Sequence, residues 1–337
     1  MDFTQKLASI CVMLLALQLA KRSTRSHSKP DKRWAVGVDF GGTKMKLGLV
    51  DCRNGQLLNT LVVPVASSKE PIAVVDQILD ASEKVLNGKP WAEICALGVC
   101  CPGRVENGIV STVANLKDWK DIPLRDLLRK ATNLEHVAVV NDANAALQGE
   151  MWHGGASGCR NVVMLTIGTG VGGAVATDGK ILRGATGMFG EIGHHIICMN
   201  GRLSAPTNVR GIAEEYCSIR GIQTTWKELS DSSEVPEVNE IFRLASEEND
   251  ELALRVLRTT SQYCGVLIVN ACRVYDPECI VLGGGLASHE WFVDWCREEA
   301  LNLQWSLAPP SYSLTQAIHG NWAGAIGAAQ AALHASG

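Results

Sequence analysis

One residue pattern occurs twice in this chain, and this internal repeat limits the possible folds more than any other feature. The first copy covers 36–51, VGVDFGGTKMKLGLVD, and the second covers 163–178, VMLTIGTGVGGAVATD. Each copy is an apolar run, a glycine-rich turn and a second apolar run that ends in an aspartate. This order predicts a strand, a tight turn and a strand. The chain is therefore expected to contain two related halves, each with a β-hairpin.

The glycine turns of the two copies align with each other. The aligned pairs are Asp39 and Thr166, Gly41 and Gly168, Gly42 and Thr169, and Thr43 and Gly170. Because glycine has no Cβ, such turns let backbone N–H groups approach an anion closely. One turn alone is equally compatible with a plain hairpin corner. Two aligned turns, each with a hydroxyl or carboxylate beside the glycines, favour a site that grips one polyphosphate from both halves.

Length and composition narrow the class of protein. A chain of 337 residues has length for about two domains and an ample core. The net charge of −4 argues against a nucleic-acid partner. The 12 cysteines include no Cys-x-x-Cys pair, so they predict neither a disulfide framework nor a cysteine metal cluster. We interpret them as reduced thiols in a reducing, cytoplasmic compartment.

The N-terminal segment is apolar but short. Residues 7–20, LASICVMLLALQLA, fall below the roughly 20 residues that a membrane-spanning helix needs. Basic residues follow this segment, which favours keeping the downstream chain in the cytosol. We place residues 1–33 outside the fold, as a membrane tether or an organelle-targeting extension, with export the least favoured reading.

Past Trp34 the chain alternates predicted strands and helices. Helices are predicted at 71–86, 250–275 and 323–335, and a polar surface loop at 228–239. An internally repeated α/β unit with paired phosphate turns resembles the plan of the actin-like ATPases, whose fold is ribonuclease H-like. We therefore predict an α/β fold with a cleft between duplicated domains. The predicted domains cover 34–151 together with the C-terminal helix 322–336, and 152–321.

The first glycine turn has polar neighbours suited to phosphate chemistry. Asp39 can organise magnesium-bound water, and Thr43 and Lys44 can reach phosphoryl oxygens. An aspartate in a turn followed by exposed polar residues explains the same sequence equally well, so this turn does not decide the function by itself.

The second turn, 168–173, formally matches the dinucleotide fingerprint G-x-G-x-x-G. That fingerprint needs a helix directly after the glycines. Here 174–182 is typical of a strand and a turn, so a dehydrogenase is not favoured. The phosphate-loop sequence G-x-x-x-x-G-K-[ST] is also absent.

Asn141 and Asp142 stand where a predicted strand ends and a helix begins. Helix capping explains one of these polar residues but not both together with Asn144. We interpret Asp142 as a general base that accepts the proton of an attacking hydroxyl. Further along, Glu191 and His194 in the sequence GEIGH are candidate hydrogen-bond partners for sugar hydroxyls, or simply loop residues.

The motifs DFGGTK, NDANAA, IGTGVGG, GEIGH and LGGGLA occur in this order and spacing. Together they resemble the ROK family of sugar kinases and repressors, over about 36–332. The resemblance implies ATP- and Mg²⁺-dependent phosphorylation of a hexose at its 6-hydroxyl, with Asp142 as the catalytic base. It implies a set of sugar ligands, namely Asn115, Asn141, Asp142, Glu191, His194 and Glu214. It also implies that Gly283, Gly284 and Gly285 lie against the adenosine, and we expect a homodimer.

One departure from the family concerns zinc. Members of the family usually bind a structural zinc through the histidine of GEIGH and three cysteines shortly after it. Here the aligned cysteine positions hold Ala205, Thr207 and Ile212. The sequence therefore predicts no zinc set of the family kind, and other contacts must hold the loop at 196–210.

The leading hypothesis is a glucokinase, because residues 115–119 and 123–124 are most similar to that branch. An N-acetylmannosamine kinase, an N-acetylglucosamine kinase or a fructokinase is the enzyme alternative. A sugar-responsive repressor would need a DNA-binding module, for which residues 1–33 give no room. A non-catalytic sugar-binding protein is the remaining class. The sequence leaves the donor open between ATP and polyphosphate.

Overall fold

The computed structural model describes residues 33–66, 68, 70–112, 119–230, 234–305 and 311–335. The apolar segment 7–20, nearly all of the predicted extension 1–33, and Asn115 lie outside these residues. Within the described ranges, no helix is both long and apolar enough to span a membrane.

The first half of the chain forms a mixed five-stranded sheet in the order β3-β2-β1-β4-β7. Its elements are β1 (Trp34–Phe40), β2 (Lys44–Asp51), β3 (Leu57–Pro64), α1 (Pro71–Leu86), β4 (Ile94–Cys101), β5 (Arg104–Glu106), β6 (Ile109–Thr112), α2 (Leu124–Thr132), β7 (His136–Asn141) and α3 (Asp142–His153). The predicted helix at 71–86 is confirmed.

The second half forms another five-stranded sheet in the order β10-β9-β8-β11-β12. Its elements are β8 (Val162–Ile167), β9 (Val171–Thr177), β10 (Lys180–Ile181), α4 (Glu214–Cys217), α5 (Ile219–Leu229), α6 (Val238–Arg243), α7 (Glu251–Tyr275), β11 (Cys279–Gly283), α8 (Glu290–Asn302), β12 (Ser313–Gln316) and α9 (Ala323–Leu333).

The two sheets have the same topology, and this confirms the duplicated α/β fold predicted from the repeat. In each half the first two strands pair antiparallel, and the first strand pairs parallel with a later one on its other side. The second glycine turn joins two strands, β8 and β9, and so lacks the helix that must follow a dinucleotide-binding turn, as predicted.

The prediction of a surface loop over 228–239 is wrong at both ends. Helix α5 continues to Leu229, and α6 begins at Val238. Val238, Ile241 and Phe242 are buried in the core of the second half. The polar stretch between the helices hid this short apolar face from a reading based on composition.

Helix α9 lies directly on the first sheet because a row of glycines leaves room for its backbone. Gly48, Gly37 and Gly98 stand side by side on three neighbouring strands. A Cβ added to Gly37 would lie 1.9 Å from the Ala325 carbonyl oxygen, and one added to Gly98 would lie 1.7 Å from that of Ala328. Any side chain at these two glycines would push the helix off the sheet.

Helices α3 and α9 cross closely and link the two sheets. A Cβ added to Gly327 would lie 1.6 Å from the Ala145 carbonyl oxygen, so their backbones are nearly in contact. Ala143 and Leu147 of α3 belong to a core cluster with residues of β8, β9 and β11. The helix pair therefore joins the halves, with α9 on the first sheet and α3 on the second.

Candidate active site

Three parallel strands of the first sheet end at the same edge, and this edge carries the predicted chemistry. Asp39 on β1 is opposite Cys100 on β4, and Cys101 is opposite Asn141 on β7. Helix α3 begins immediately after β7, at Asp142. Ligands of open α/β sheets bind outside the carboxyl ends of such strands. The fold thus brings Asp39, Asn141 and Asp142 to one edge.

Asn141 and Asp142 make different hydrogen bonds at the start of α3. The Asn141 side chain caps the helix, because its Oδ1 accepts a hydrogen bond from the Asn144 backbone N–H at 3.1 Å. Asp142 Oδ1 accepts one from the Ala143 N–H at 2.9 Å. Capping therefore accounts for Asn141, and the second oxygen of Asp142 has no hydrogen bond to a described residue. The helix N-terminus favours the ionised carboxylate.

The environment raises the pKa of Asp142. Burial is the largest cause, and the negative charges of Asp39 and Glu191 add to it. The hydrogen bond from the Ala143 N–H opposes the shift by stabilising the carboxylate. These interactions show that Asp39, Asp142 and Glu191 share one electrostatic environment. A carboxylate whose pKa is raised toward neutrality holds a proton more strongly, which suits a general base.

The ion-pair partner of Asp39 is Lys46, a residue that sequence reasoning missed. The Lys46 ammonium donates to Asp39 Oδ2 at 3.0 Å, and both side chains are partly buried. Lys44, the predicted phosphate ligand, is exposed, and its role stays a prediction. The signal for Lys46 lies in hairpin register: with Phe40 paired to Met45, Asp39 must face Lys46.

The second glycine turn meets the glycines that follow β11. Thr166 is opposite Gly283 in the parallel pair of β8 and β11. Gly284 has a φ of +86°, and a Cβ there would lie 2.3 Å from the Ile167 carbonyl oxygen. The predicted phosphate residues, Thr166, Gly168, Thr169 and Gly170, and the predicted adenosine residues therefore lie at adjacent strand ends. Gly41, Gly42 and Thr43 form the corresponding turn of the first hairpin.

The GEIGH segment packs on β9, next to this turn. A Cβ added to Gly173 would lie 2.5 Å from the Gly190 carbonyl oxygen. Glu191 Oε2 lies 3.8 Å from His194 Nε2, and each side chain is 46% exposed. The two predicted sugar ligands are thus adjacent and open to solvent, as hydrogen-bonding partners of a sugar must be.

Glu214 is occupied by protein contacts. Its Oε2 accepts from the Val171 backbone N–H at 3.0 Å, and its Oε1 accepts from the Arg220 guanidinium at 3.1 Å. These contacts attach Glu214 to the second glycine turn. Its role as a sugar ligand stays a prediction, and it has the added role of holding this turn.

The residues present do not fit the zinc of the ROK pattern. Ala205, Thr207 and Ile212 supply no metal ligand. Among the described residues, no group of three or more histidine, cysteine, aspartate or glutamate side chains could hold a metal ion. The loop that follows GEIGH is instead held by Arg202, whose guanidinium contacts α4 and α5.

Comparison with known proteins identifies the family of this chain and several of its relatives. Residues 35–335 match the ROK family. The chain is 34% identical over 271 residues to a glucokinase of Halalkalibacterium halodurans, covering 76% of this chain and 81% of that protein. It is 28% identical over 307 residues to a xylose repressor of Bacillus subtilis, covering 87% of this chain and 75% of the repressor.

A solved structure shows the same fold. The ROK family glucokinase from Streptomyces griseus, in complex with glucose and AMPPNP, superposes with a TM-score of 0.75. It is 28% identical, and the match covers 90% of this chain and 100% of the other.

Proposed function

The chain belongs to the ROK family, and we propose that it is an ATP-dependent hexose kinase that phosphorylates the 6-hydroxyl of glucose. The observation that carries the proposal is the position of Asp142. It begins α3 at the edge where β1, β4 and β7 end, within electrostatic reach of both Asp39 and Glu191. The similarity to glucokinases supports glucose among the hexoses.

The reaction requires a base, a binding site for the phosphates and a binding site for the sugar. Asp142 accepts the proton of the 6-hydroxyl while that oxygen forms its bond to the γ-phosphorus of ATP and the bond to the β-phosphate oxygen breaks. The Asp142 oxygen that does not bond the Ala143 N–H is the atom that takes that proton. Glu191 and His194 accept and donate hydrogen bonds to ring hydroxyls and orient the sugar.

The two glycine turns hold the phosphates of ATP in this proposal. The backbone N–H groups of 42–43 and 169–170 face the polyphosphate from the two halves, while those of Gly41 and Gly168 close their own turns. The carboxylate of Asp39 is a hard oxygen donor that fits Mg²⁺ or its bound water. Magnesium, when bound, neutralises charge on the transferring phosphate. Lys46 fixes the orientation of Asp39 and adds positive charge beside it.

A coupled assay of ADP release over a panel of hexoses tests the proposal. We expect turnover with glucose and less with N-acetylmannosamine, N-acetylglucosamine and fructose. Polyphosphate in place of ATP tests the donor. A folded protein that is silent on every sugar with both donors would remove the kinase function and leave the non-catalytic sugar-binding alternative.

Replacing Asp142 by Asn tests the base directly. The amide keeps the size of the side chain but cannot take the proton, so kcat should fall by about two to four orders of magnitude. Glucose affinity, measured by calorimetry, should stay within a few-fold of the unmodified chain. Normal turnover in Asp142→Asn would place the base elsewhere.

A further inference from the structure

The loop at 196–211 lies between two predicted sugar ligands, His194 and Glu214. Its ends are tied together by backbone hydrogen bonds. Ile196 and Ile212 form an antiparallel bridge, and the Ala213 N–H donates to the His195 carbonyl oxygen at 2.9 Å. Whatever fixes this loop therefore also fixes the distance between the two ligands.

Arg202 is the side chain that fixes the middle of the loop. Its Nε and Nη2 both donate to the Glu228 carboxylate. Its Nη1 donates to the carbonyl oxygens of Glu215 at 2.8 Å and Gly221 at 3.1 Å, and its Nη2 also donates to Thr225 Oγ1 at 2.9 Å. A guanidinium has five N–H donors, so every one is used.

Tyr216 also contacts Arg202, through its ring and through its hydroxyl group. The Arg202 guanidinium carbon lies 4.7 Å from the centre of the Tyr216 ring, and the Arg202 backbone N–H donates to the Tyr216 hydroxyl oxygen at 2.7 Å. The Arg202 side chain is only 12% exposed. A planar, multiply bonded group stacked on a ring is rigid in a way that a lysine cannot reproduce.

The contacts of Arg202 lead directly to the sugar site. It bonds the carbonyl oxygen of Glu215, and Glu215 and Glu214 both accept from the Arg220 guanidinium, at 2.7 and 3.1 Å. Glu214 in turn bonds the Val171 N–H of the second glycine turn. One arginine thus joins the loop to α4 and α5. In this chain the loop lacks the cysteines that would bind the zinc of the family.

We infer that Arg202 is a positioning residue for the sugar site, and that it fixes the loop at 196–211 in place of a metal. The inference rests on the proposed hexose kinase function for its effect on the substrate. Its effect on the loop is independent of any activity. Sugar affinity in this chain then depends on Arg202 and is independent of zinc.

The experiment compares Arg202→Met, Arg202→Lys and Glu228→Gln with a matched control, Arg243→Met. Arg243 is likewise paired with several carboxylates, those of Glu240, Glu247 and Glu248, but it lies on α6. Hydrogen–deuterium exchange of the amides at 196–213 is measured for each variant, together with KM for glucose, KM for ATP and kcat.

In Arg202→Met we expect faster exchange at 196–213 and a KM for glucose about tenfold or more higher, with a smaller change in KM for ATP. Arg202→Lys keeps the charge without the fork and should resemble Arg202→Met. Glu228→Gln should be milder, because an amide still accepts a hydrogen bond. Arg243→Met should change neither exchange at 196–213 nor KM.

Treatment of the unmodified chain with a zinc chelator, in excess Mg²⁺, should leave exchange and KM unchanged. Stoichiometric zinc whose removal loosens 196–213 would overturn the inference. So would unchanged exchange in Arg202→Met, or faster exchange with an unaltered KM for glucose. If the unmodified chain phosphorylates no sugar, the proposed function fails, and the exchange data still decide whether Arg202 holds the loop.

Discussion

At the scale of single residues, the site is a concentration of negative charge at one sheet edge. The negative charges of Asp39 and Glu191 both act on Asp142, and Lys46 is paired with Asp39 at that edge. The raised pKa of Asp142 follows from burial first and from its two acidic neighbours second. This electrostatic balance controls the fraction of Asp142 that is ionised at a given pH.

The acidic limb of the pH profile of kcat/KM should therefore report Asp142. Because its pKa is raised, the base is lost as pH falls at a higher pH than an ordinary aspartate would give. Glu191→Gln removes one negative charge, so Asp142 ionises more easily and the limb should move to lower pH. Glu290→Gln, on the exposed start of α8, is the control. An unmoved limb in Glu191→Gln would contradict this account.

Glu150 is a second residue whose role follows from its contacts. It is fully buried near the end of α3, and it accepts backbone N–H bonds from Gly155 at 2.7 Å, Ile318 at 3.1 Å and His319 at 2.9 Å. Glu150→Gln replaces one acceptor oxygen by an NH₂ group. The free energy of unfolding in urea should fall by about 1–3 kcal/mol. A loss of less than a few tenths of a kcal/mol would show that these hydrogen bonds contribute little to stability.

At the scale of elements, the packing of α9 on the first sheet controls the position of α3 and of Asp142 at its start. The helix carries mostly alanine and glycine on its buried face, and the sheet offers glycines at the matching positions. Small residues on both surfaces allow backbones to approach closely, and α3 then packs on α9 in the same way. The start of α3, with Asp142, is held in place by this arrangement.

Gly98→Ala tests this packing. The added methyl group would lie 1.7 Å from the Ala328 carbonyl oxygen, so α9 must shift. We expect a loss of about 1–3 kcal/mol in the free energy of unfolding, as for other overpacked cores. Gly285→Ala is the control for stability, because a Cβ there meets nothing within 4 Å. Equal stability of the two variants would show that the helix adapts without cost.

At the scale of the whole molecule, two similar halves are joined by the crossed helices α3 and α9. The two glycine turns belong to different halves, so in the proposed function both can act on one nucleotide only when the halves face each other. Closure of such a cleft excludes water from a reacting phosphate. We therefore expect hexose binding to narrow the cleft between the halves.

Small-angle X-ray scattering checks this closure. Saturating glucose should lower the radius of gyration of the full chain, and a sugar that is silent in the kinase panel should not. An unchanged radius with glucose bound, as shown by calorimetry on the same sample, would mean that the cleft is already closed or that closure is local to the loops.

The sequence by itself determined the repeat, both hairpins, the duplicated α/β fold and the place of the motifs. These depend on local patterns: alternating apolar runs, glycine turns and the capping Asn141 at the start of α3. Residue 115 lies outside the described part of the chain, and the roles of the other predicted site residues stay predictions. The bounds of α5 and α6 were misjudged because a polar stretch masks their apolar faces.

Only the tertiary structure decided which residues act on one another. The pairing of Lys46 with Asp39 depends on hairpin register, and the raised pKa of Asp142 depends on burial and on charges distant in sequence. The five bonds of Arg202 join segments that no local pattern connects. Electrostatic fields and packing act through space, and a sequence specifies those distances only once the chain has folded.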